Sequence, residues 1–399
     1  MNTIINIRHI YIICLVFLLI VVSGCESSKD KKDIQIIEAK ADDKQQFESG
    51  EDIQSTSLEE TTVEFDVINN WDKNDIVKKY NLSSGDCKIT SLTAPAYVNQ
   101  NGIYFIDDLA TSDSIIHFDQ NTNTCNQLYK TSGIGNIVGI DDKLFWTEYD
   151  TTKITEVSWE IKQLDINNSK VTTLGSGESF NGTPTPALKT GEKLISWIEY
   201  KTDIQSLTVF SNLVIYNISD GEITTIENGE VDESNVAKGE YFIQQDSKNS
   251  DSFLLYKSIF KNAQKKFNLS LSTQSKKDLT ISERDQIIDF SFNDNYVAYA
   301  GEGYLEIIDQ SNPEQKIKFD AEEMVTLDTP IFINSDTLVF RKGISDIYIA
   351  NIDKKIASLI SAQISTSKPI YTNGILAFGV YNSNGDAIDL DFYVIDMNE

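Results

Sequence analysis

Short stretches of alternating residues recur along the chain from about residue 63 onward. In "NLVIYNISDGEITTI", residues 212–226, successive residues fall on two alternating faces, and this period of two is typical of a β-strand. The segment "SDGE" places Gly221 directly after Asp220, a residue pair favoured in tight hairpin turns. The stretch "DDKLFWTEYD … EIKQLDINNSKVTTL" has the same order of strand, turn and strand. The pattern therefore predicts antiparallel strands joined by tight turns.

An aromatic residue near the end of an apolar strand marks each copy of this repeat. In register, these residues are Phe105, Trp146, Trp197, Phe242, Tyr299, Phe340 and Phe378. Their separations are 41, 51, 45, 57, 41 and 38 residues. A repeat of about 40–50 residues built from strands alone is typical of a β-propeller blade. We therefore predict an all-β fold, a β-propeller of seven blades with four antiparallel strands each, and leave six or eight blades open.

The two ends of the repeat region predict how the ring of blades closes. The last copy stops at "DLDFYVIDMNE", one strand short, whereas "NLSSGDCKITSLTAPAY" from Asn81 resembles the end of a copy. We therefore expect residues 88–92 to complete the seventh blade, within a propeller domain at residues 85–399. Residues 63–84 are assigned to an N-terminal extension, in which "INNWDKNDIVKKY" predicts a short helix.

The first 25 residues have the features of an export signal. Arg8 precedes an apolar run at residues 10–22, which is shorter than the roughly 20 residues that a membrane-spanning helix needs. The run leads into "VSGC", residues 22–25, which resembles the lipobox of bacterial lipoproteins. The resemblance implies that residues 1–24 are removed as a signal peptide and that Cys25 carries fatty acyl chains such as palmitate. It also implies a lipid anchor on the bacterial cell membrane, facing outside the cytoplasm; an ordinary secretory signal is the alternative.

Residues 25–62 comprise the lipidated cysteine and a polar linker. The linker is rich in Ser, Asp, Glu, Lys and Gln, and Phe47 is its only aromatic residue. Such a segment buries too little apolar surface to offset the entropy lost on ordering. We therefore expect a disordered tether between the membrane and the folded domain.

The net charge restricts the kinds of partner that this chain can bind. The formal charge is −27 at pH 7, and nucleic-acid binding requires clustered Lys and Arg, of which the sequence has no run. Nucleic acid is therefore an unfavourable partner, and anionic lipid headgroups are disfavoured for the same reason. The acidity favours solubility of a monomeric domain, with Ca²⁺ or a basic protein as secondary candidates for binding.

Two strand phrases are similar to those of TolB-like and WD40-like bacterial propellers. "DIYIANIDKKIASL" from Asp346 and "FYVIDMNE" from Phe392 match the element that follows the aromatic strand in that broad family. The Ser-Pro-Asp-Gly turn and the Gly-His…Trp-Asp pair are missing. The resemblance covers residues 85–399 and implies architecture only, because propellers include binding modules, scaffolds and enzymes.

Two cysteines remain once Cys14 leaves with the signal and Cys25 is assigned to lipid. Cys87 and Cys125 lie in an exported chain, where a disulfide can persist. Their surroundings, "GDCKITSL" and "TNTCNQLY", look like equivalent positions in neighbouring repeats, which would hold the two sulfur atoms too far apart. A disulfide between these cysteines is therefore left open.

Histidine and cysteine, which are common in catalytic triads and zinc sites, are scarce in this sequence. His117 is the one histidine outside the signal, so a histidine-based triad or zinc site is disfavoured. The spacing of Asp119, Asn121 and Asn123 resembles a calcium loop, but the Gly and Glu that complete such a loop are absent, which favours a solvated turn.

A recurring Trp-x-Glu-Tyr phrase supplies the candidate binding site. Glu148 and Glu199 follow the aromatic marker by two residues in neighbouring repeats, and Asp107 stands at the equivalent position before them. Residues copied in register indicate a structural phrase first, since catalytic residues occur once per site. Equivalent positions also form a ring on a propeller, so these three acids are candidates for binding a cation or a sugar.

These observations predict a lipoprotein of the cell surface whose propeller acts as a non-catalytic binding or scaffolding module for a protein or glycan. No cofactor is expected. The alternative is a carbohydrate-active enzyme, a glycoside hydrolase or lyase, that uses carboxylates among Asp107, Glu148 and Glu199.

Overall fold

The computed structural model describes residues 61–398, except for 69–70, 72–75, 84–86, 88, 90–91, 110–111, 151, 153–155, 180–182, 204–207, 232–240, 250, 262–263, 274–275, 285 and 385–386. Seven four-stranded sheets form a ring, so the fold is a seven-bladed β-propeller and the predicted blade number is confirmed. The predicted signal peptide, the predicted lipidation site Cys25 and the predicted tether up to residue 60 lie outside the described residues. No helix in the described part of the chain is long and apolar enough to span a membrane.

Three short strands precede the first complete blade. These strands are β1 (Thr61–Glu64), β2 (Asp66–Ile68) and β3 (Val77–Asn81). The first four blades then follow one another along the chain. Blade I contains β4 (Pro95–Asn99), β5 (Gly102–Leu109), β6 (Ser112–Asp119) and β7 (Thr124–Thr131). Blade II contains β8 (Ile134–Ile140), β9 (Lys143–Tyr149), β10 (Val157–Asp165) and β11 (Lys170–Ser179). Blade III contains β12 (Lys189–Gly191), β13 (Leu194–Asp203), β14 (Thr208–Asn217) and β15 (Ile223–Val231). Blade IV contains β16 (Tyr241–Asn249), β17 (Ser252–Lys261), β18 (Gln264–Thr273) and β19 (Lys276–Ser282).

The last three blades include the strands contributed by the N-terminal segment. Blade V contains β20 (Asp289–Phe292), β21 (Tyr296–Gly301), β22 (Tyr304–Asp309) and β23 (Asn312–Asp320). Blade VI contains β24 (Leu327–Phe332), β25 (Thr337–Lys342), β26 (Asp346–Asn351) and β27 (Ile356–Ala362). Blade VII contains β28 (Ile370–Thr372), β29 (Ile375–Asn384), β30 (Ala387–Asp396) and β3.

The antiparallel order of the strands defines two faces of the ring. The first strand of each blade begins at the same face at which the second strand ends and the third begins. We call this the upper face. The first strands line the axis, and the second strands end at the upper face.

The aromatic marker of the repeat occupies one fixed position in six blades. It is the fourth residue of the second strand and is almost completely buried, as in Trp146 and Phe340. In blade IV the prediction was wrong: Phe242 lies on the first strand, β16, and the equivalent residue of β17 is Leu255. The strand that contains Phe242 has the same alternation as a second strand, which is why the sequence did not separate them.

The ring closes through an earlier segment than we predicted. β3 pairs antiparallel with β30, from Val77 opposite Ile395 to Asn81 opposite Asp391. The prediction that residues 88–92 close the ring was therefore wrong, and the predicted helix overlaps a strand at residues 77–80. The segment after β3 instead fills the space between blades VII and I, where Leu82 is fully buried.

The N-terminal segment also adds a fifth strand to two blades. β1 pairs parallel with β23 of blade V, and β2 pairs parallel with β27 of blade VI. Phe65, between β1 and β2, packs into the core that blades V and VI share, and Trp71 packs into the core between blades VI and VII. The strands β1, β2 and β3 therefore pair in succession with strands of blades V, VI and VII.

Candidate binding site in the axial channel

The first strands of the seven blades enclose a cavity of about 940 Å³ along the axis. Every blade contributes to its lining: Pro95, Ile134, Lys189, Asp246, Asp289, Ile331 and Ile370 represent blades I to VII in order. Cavities of roughly 300–1,000 Å³ with mostly apolar walls and a few polar groups are typical of ligand sites. The position of this cavity follows from the ring, because seven first strands cannot all contact one another across the axis.

Asp289, the first residue of β20, is the centre of a charged cluster in the cavity wall. Its Oδ2 accepts a hydrogen bond from Lys368 Nζ at 2.6 Å, and its Oδ1 accepts one from Gln244 Nε2 at 3.0 Å. Lys189 Nζ lies 3.8 Å from Asp289 Oδ1. Lys189 belongs to blade III and Lys368 precedes the first strand of blade VII. The carboxylate of Asp289, in blade V, therefore interacts with side chains from both directions around the ring.

Arg341 and Asp328 form a second ion pair next to this cluster. Arg341 binds Asp328 through two bonds, from Nε to Oδ1 at 3.0 Å and from Nη2 to Oδ2 at 2.6 Å. Arg341 also donates from Nη1 to the Thr366 carbonyl oxygen at 2.9 Å. Lys368 Nζ lies 4.0 Å from Asp328 Oδ2, which connects the two pairs. Two-bond pairing of this kind fixes the orientation of both side chains.

Two carboxyl groups of the cavity have pKa values shifted in opposite directions. Burial opposes the ionisation of Asp289, but Lys189 and Lys368 outweigh it and hold the pKa of Asp289 below its usual range. Burial raises the pKa of Asp246, and its attraction to Lys189 only partly compensates. Asp289 is therefore the carboxylate that the cluster keeps ionised.

A pair of acids from blade I also lines the cavity. Asp113 and Asp108 face each other across the hairpin of β5 and β6, and Asp113 Oδ2 accepts a hydrogen bond from the backbone N–H of Ile134 at 2.6 Å. Burial raises the pKa of Asp113, and the neighbouring Asp108 raises it further. The cavity wall therefore combines acids from blades I, IV and V with the two lysines, Lys189 and Lys368.

The three acids predicted from the sequence lie elsewhere. Asp107, Glu148 and Glu199 occupy the second strands of blades I, II and III, and none of them is among the residues that line the cavity. Glu148 accepts hydrogen bonds of 2.9 Å from the hydroxyl groups of Tyr129 and Thr131, on the outermost strand of blade I. This glutamate thus joins neighbouring blades. Within the described residues, no group of three or more His, Cys, Asp or Glu side chains is placed to hold one metal ion.

Cys87 and Cys125 form a disulfide, with their Cα atoms 5.0 Å apart. The sequence had suggested equivalent positions in two neighbouring repeats. Instead, Cys87 lies in the segment after β3, which runs through the core between blades VII and I, and Cys125 lies on β7. The two cysteines are therefore not equivalent by the repeat, which removes the objection to their pairing.

His117 and the calcium-like turn at Asp119 make contacts within their own blade that give them a structural role. The His117 ring stacks on Tyr104, with 4.8 Å between centroids, and its Nε2 lies 2.9 Å from the Asn101 carbonyl oxygen. Asp119 Oδ1 accepts a hydrogen bond from the backbone N–H of Asn121 at 2.8 Å, within the turn between β6 and β7. The turn thus uses its aspartate to hold its own backbone.

The sequence analysis did not find the charged residues of the cavity. Lys189, Asp289 and Lys368 lie at or before the starts of first strands that are only three or four residues long. A weak signal was present: "TAPAY", "DTPIF" and "SKPIY" each place a proline within or directly before the first strand of a blade. Those prolines could have located the axis, and with it the charges beside them.

Comparison with known proteins finds only distant structural similarity. No family model matches the sequence, and no curated protein is significantly similar to it. Among solved structures, Sqt1 of Saccharomyces cerevisiae is 12% identical with a TM-score of 0.43, over 73% of this chain and 81% of that chain. TolB of Acinetobacter baumannii is 13% identical with a TM-score of 0.38, over 56% and 52% of the two chains. The N-terminal domain of Nup159 is 9% identical with a TM-score of 0.42, over 84% and 100%.

Proposed function

We propose that this chain is a lipid-anchored lipoprotein of the bacterial cell surface whose propeller binds a ligand or partner group in the axial channel. The observation that carries the proposal is the cavity of about 940 Å³, into which all seven blades contribute and in which charged side chains converge. Propellers of this kind need no chemistry of their own to act as binding modules, because the ring holds the cavity open and fixes its lining.

The energetics of the charged cluster support a binding role. Asp289 and Asp328 are buried carboxylates, and a buried ion pair stabilises a fold no better, on the whole, than apolar residues of the same volume. A first strand needs only apolar residues to pack the ring. Lys189, Asp289 and Lys368 therefore indicate selection for recognition at the cavity, beyond stability.

The anchor part of the proposal rests on the sequence "VSGC" that ends at Cys25. A diacylated cysteine inserts enough methylene groups, at about 0.8 kcal/mol each, for stable attachment to a membrane. Metabolic labelling with a fatty acid should mark the wild-type protein and leave Cys25→Ala unlabelled. Unchanged membrane fractionation of Cys25→Ala would overturn the anchor.

In-cell crosslinking tests the binding role. A tagged, full-length protein is crosslinked and recovered, and its partners are identified by mass spectrometry. We expect a specific crosslinked partner or ligand that is lost in Lys368→Gln and retained in Lys354→Gln, an exposed lysine of the turn between β26 and β27 with the same change of charge. Equal recovery from both variants would place the binding surface outside the channel and refute the proposal.

A second candidate is a carbohydrate-active enzyme, and one observation favours it. Asp246 and Asp289 line the same cavity, and their environments shift their pKa values in opposite directions. Such a divergence is characteristic of acid and base pairs in glycoside hydrolases. Hydrolysis of cell-wall glycan by the purified protein, abolished in Asp246→Asn and in Asp289→Asn, would establish this activity. Equal glycan hydrolysis by wild type and both variants would exclude these residues.

A further inference from the structure

We infer that the channel recognises a carboxylate, carried by a small organic acid with an apolar body, between Lys189 and Lys368. The inference rests on the proposed function and specifies the chemical class of its ligand. It comes from the hydrogen-bonding capacity that the charged cluster leaves unused.

Each carboxylate oxygen of Asp289 and Asp328 already accepts a hydrogen bond from the protein itself. Both oxygens of Asp328 accept hydrogen bonds from Arg341. The two oxygens of Asp289 accept from Gln244 and Lys368. Asp246 Oδ1 accepts from the backbone N–H of Ser247 at 3.0 Å. A ligand cation would therefore have to compete with protein donors for these carboxylates.

The donors of the two lysines are not occupied to the same extent. An ammonium group has three N–H donors. Among the described residues, Lys368 Nζ has one hydrogen-bond acceptor, Asp289, and Lys189 Nζ has its nearest carboxylate oxygen at 3.8 Å, beyond hydrogen-bond distance. The side chains of Lys368 and Lys189 are 51% and 38% exposed, toward the cavity that both of them line. Both lysines therefore retain hydrogen-bond donors that can bind an anion in the cavity.

Both ammonium groups can reach one ligand anion. They approach opposite oxygens of the same Asp289 carboxylate, and each is carried on a flexible four-carbon stem. A second carboxylate placed in the cavity beside Asp289 would therefore be shared by the two lysines. Charge-assisted hydrogen bonds of this kind are roughly twice as strong as neutral ones.

The charge of the whole chain limits the ligand to a small anion. With a formal charge of −27, the protein repels acidic macromolecules over several ångströms. A small monoanion carries too little charge for this repulsion to dominate and can enter the cavity. The acids Asp108 and Asp113, which line the same cavity, would repel a ligand carboxylate and so favour its placement at the lysines.

The remaining wall fits an apolar body. Ile331, Phe332, Ile370 and Tyr371 line the cavity on the side of blades VI and VII, next to Lys368. An aromatic or aliphatic group attached to the carboxylate would contact these side chains while the carboxylate stays at the two lysines. The pairing of a charged group with an apolar patch defines the ligand class.

Three matched probes test the inference on the intact propeller. They are 3-phenylpropionate, its neutral isostere 3-phenylpropanamide and the cation 3-phenylpropylammonium, each titrated by ligand-observed NMR. We expect 3-phenylpropionate to bind with a Kd on the order of 1 mM, as suits a ligand of this size. The amide should bind about tenfold more weakly, because it loses the charge-assisted bonds. The ammonium compound should bind no better than the amide.

Variants then locate the binding. The double variant Lys189→Gln, Lys368→Gln should weaken binding of 3-phenylpropionate about tenfold or more. The control variant Lys354→Gln also replaces a lysine with glutamine, but outside the channel, and should not weaken binding. The lysine side chains are partly exposed, and a thermal melt verifies that the variants fold. Equal affinity for acid and amide, or an affinity for the acid that the double variant leaves unchanged, would overturn the inference.

The outcomes separate this inference from the proposed function. Stronger binding of the ammonium compound, dependent on channel residues, would refute the carboxylate class and leave the channel as a binding site. Absence of saturable binding for all three probes, together with crosslinked partners that Lys368→Gln leaves unchanged, would refute both. Binding of the acid with the lysine dependence described above supports both.

Discussion

Removal of the disulfide should cost the propeller about 4 kcal/mol of unfolding free energy. Cys87 and Cys125 are separated by 38 residues along the chain. In the chain-entropy model, closing a loop of that length lowers the entropy of the unfolded chain by about 13 cal/mol/K, which is about 4 kcal/mol at 25 °C. The double variant Cys87→Ala, Cys125→Ala opens this loop without placing a polar group in the core.

The position of the disulfide makes the effect global. Cys87 is 5% exposed and packs in the core between blades VII and I, next to Leu82 and Phe392. This is the junction at which β3 closes the ring, so loss of the crosslink loosens the chain where both ends of the repeat region meet. We therefore expect the whole propeller to unfold at lower denaturant, with no separate unfolding of blade I.

Guanidinium chloride unfolding, followed by tryptophan fluorescence and by circular dichroism, measures this cost. Wild-type protein under reducing conditions is the matched control, since it opens the same loop without a substitution, and it should agree with the double variant. The variant itself should not respond to reductant. A loss of less than about 1 kcal/mol in both samples would refute the entropic reasoning.

Three further predictions concern the core and the charged cluster. Phe65→Ala should destabilise the protein by about 3–5 kcal/mol, because the ring is buried between blades V and VI, whereas exposed Val67→Ala in the neighbouring β2 should cost under about 0.5 kcal/mol in thermal or chemical unfolding. Asp289→Asn should destabilise the fold most near neutral pH, where the ionised carboxylate interacts with the two lysines. The difference in unfolding free energy from wild type should shrink as pH falls through the lowered pKa of Asp289, because the protonated group no longer makes this interaction. Asp246→Asn should show the opposite trend, because the raised pKa of Asp246 means that its ionised form destabilises the fold. The unfolding free energy of the variant minus that of wild type should be larger at pH 7 than at pH 4 in the same assay.

The architecture could be predicted from the sequence because it is repeated. Each blade needs an aromatic or apolar residue at the fourth position of its second strand, and Trp146, Trp197 and Phe378 occupy that position with almost no exposure. A residue required seven times leaves a period that is visible without structure. The one failure, at Phe242, came from a first strand long enough, at nine residues, to resemble a second strand.

The closure of the ring could not be predicted in the same way, because it happens once. β3 and the segment from "NLSSGDCKITSL" are both polar, alternating and adjacent, and the sequence offers no repeat against which to compare them. The pairing of β3 with β30 is decided by long-range packing: Tyr80 meets Phe118 with 5.6 Å between ring centroids, and Leu82 is fully buried beyond it. The same uniqueness concealed the disulfide, whose two cysteines looked like copies.

The polar residues of the candidate site lie on first strands, whereas the acids predicted from the sequence lie on second strands. Gln244, Asp289 and Asp328 each pair with the residue that follows the fourth position of the second strand, in blades IV, V and VI. They form a belt of equivalent polar residues, as was predicted for Asp107, Glu148 and Glu199, but on first strands rather than second strands.

The geometry of a propeller explains the difference between the two sets. Asp289, on a first strand, lines the cavity, whereas Glu148, on a second strand, faces the next blade, where the hydroxyl groups of Tyr129 and Thr131 satisfy it. Period alone cannot distinguish the two strands, because both alternate. What distinguishes them is that the first-strand residues differ from blade to blade. Three consecutive blades carry an amide or a carboxylate at this position, and the carboxylate of Asp289 pairs with Lys189 of blade III and with Lys368, which precedes the first strand of blade VII. A site that binds one ligand on a sevenfold scaffold must break the repeat, so its residues are found where the blades differ.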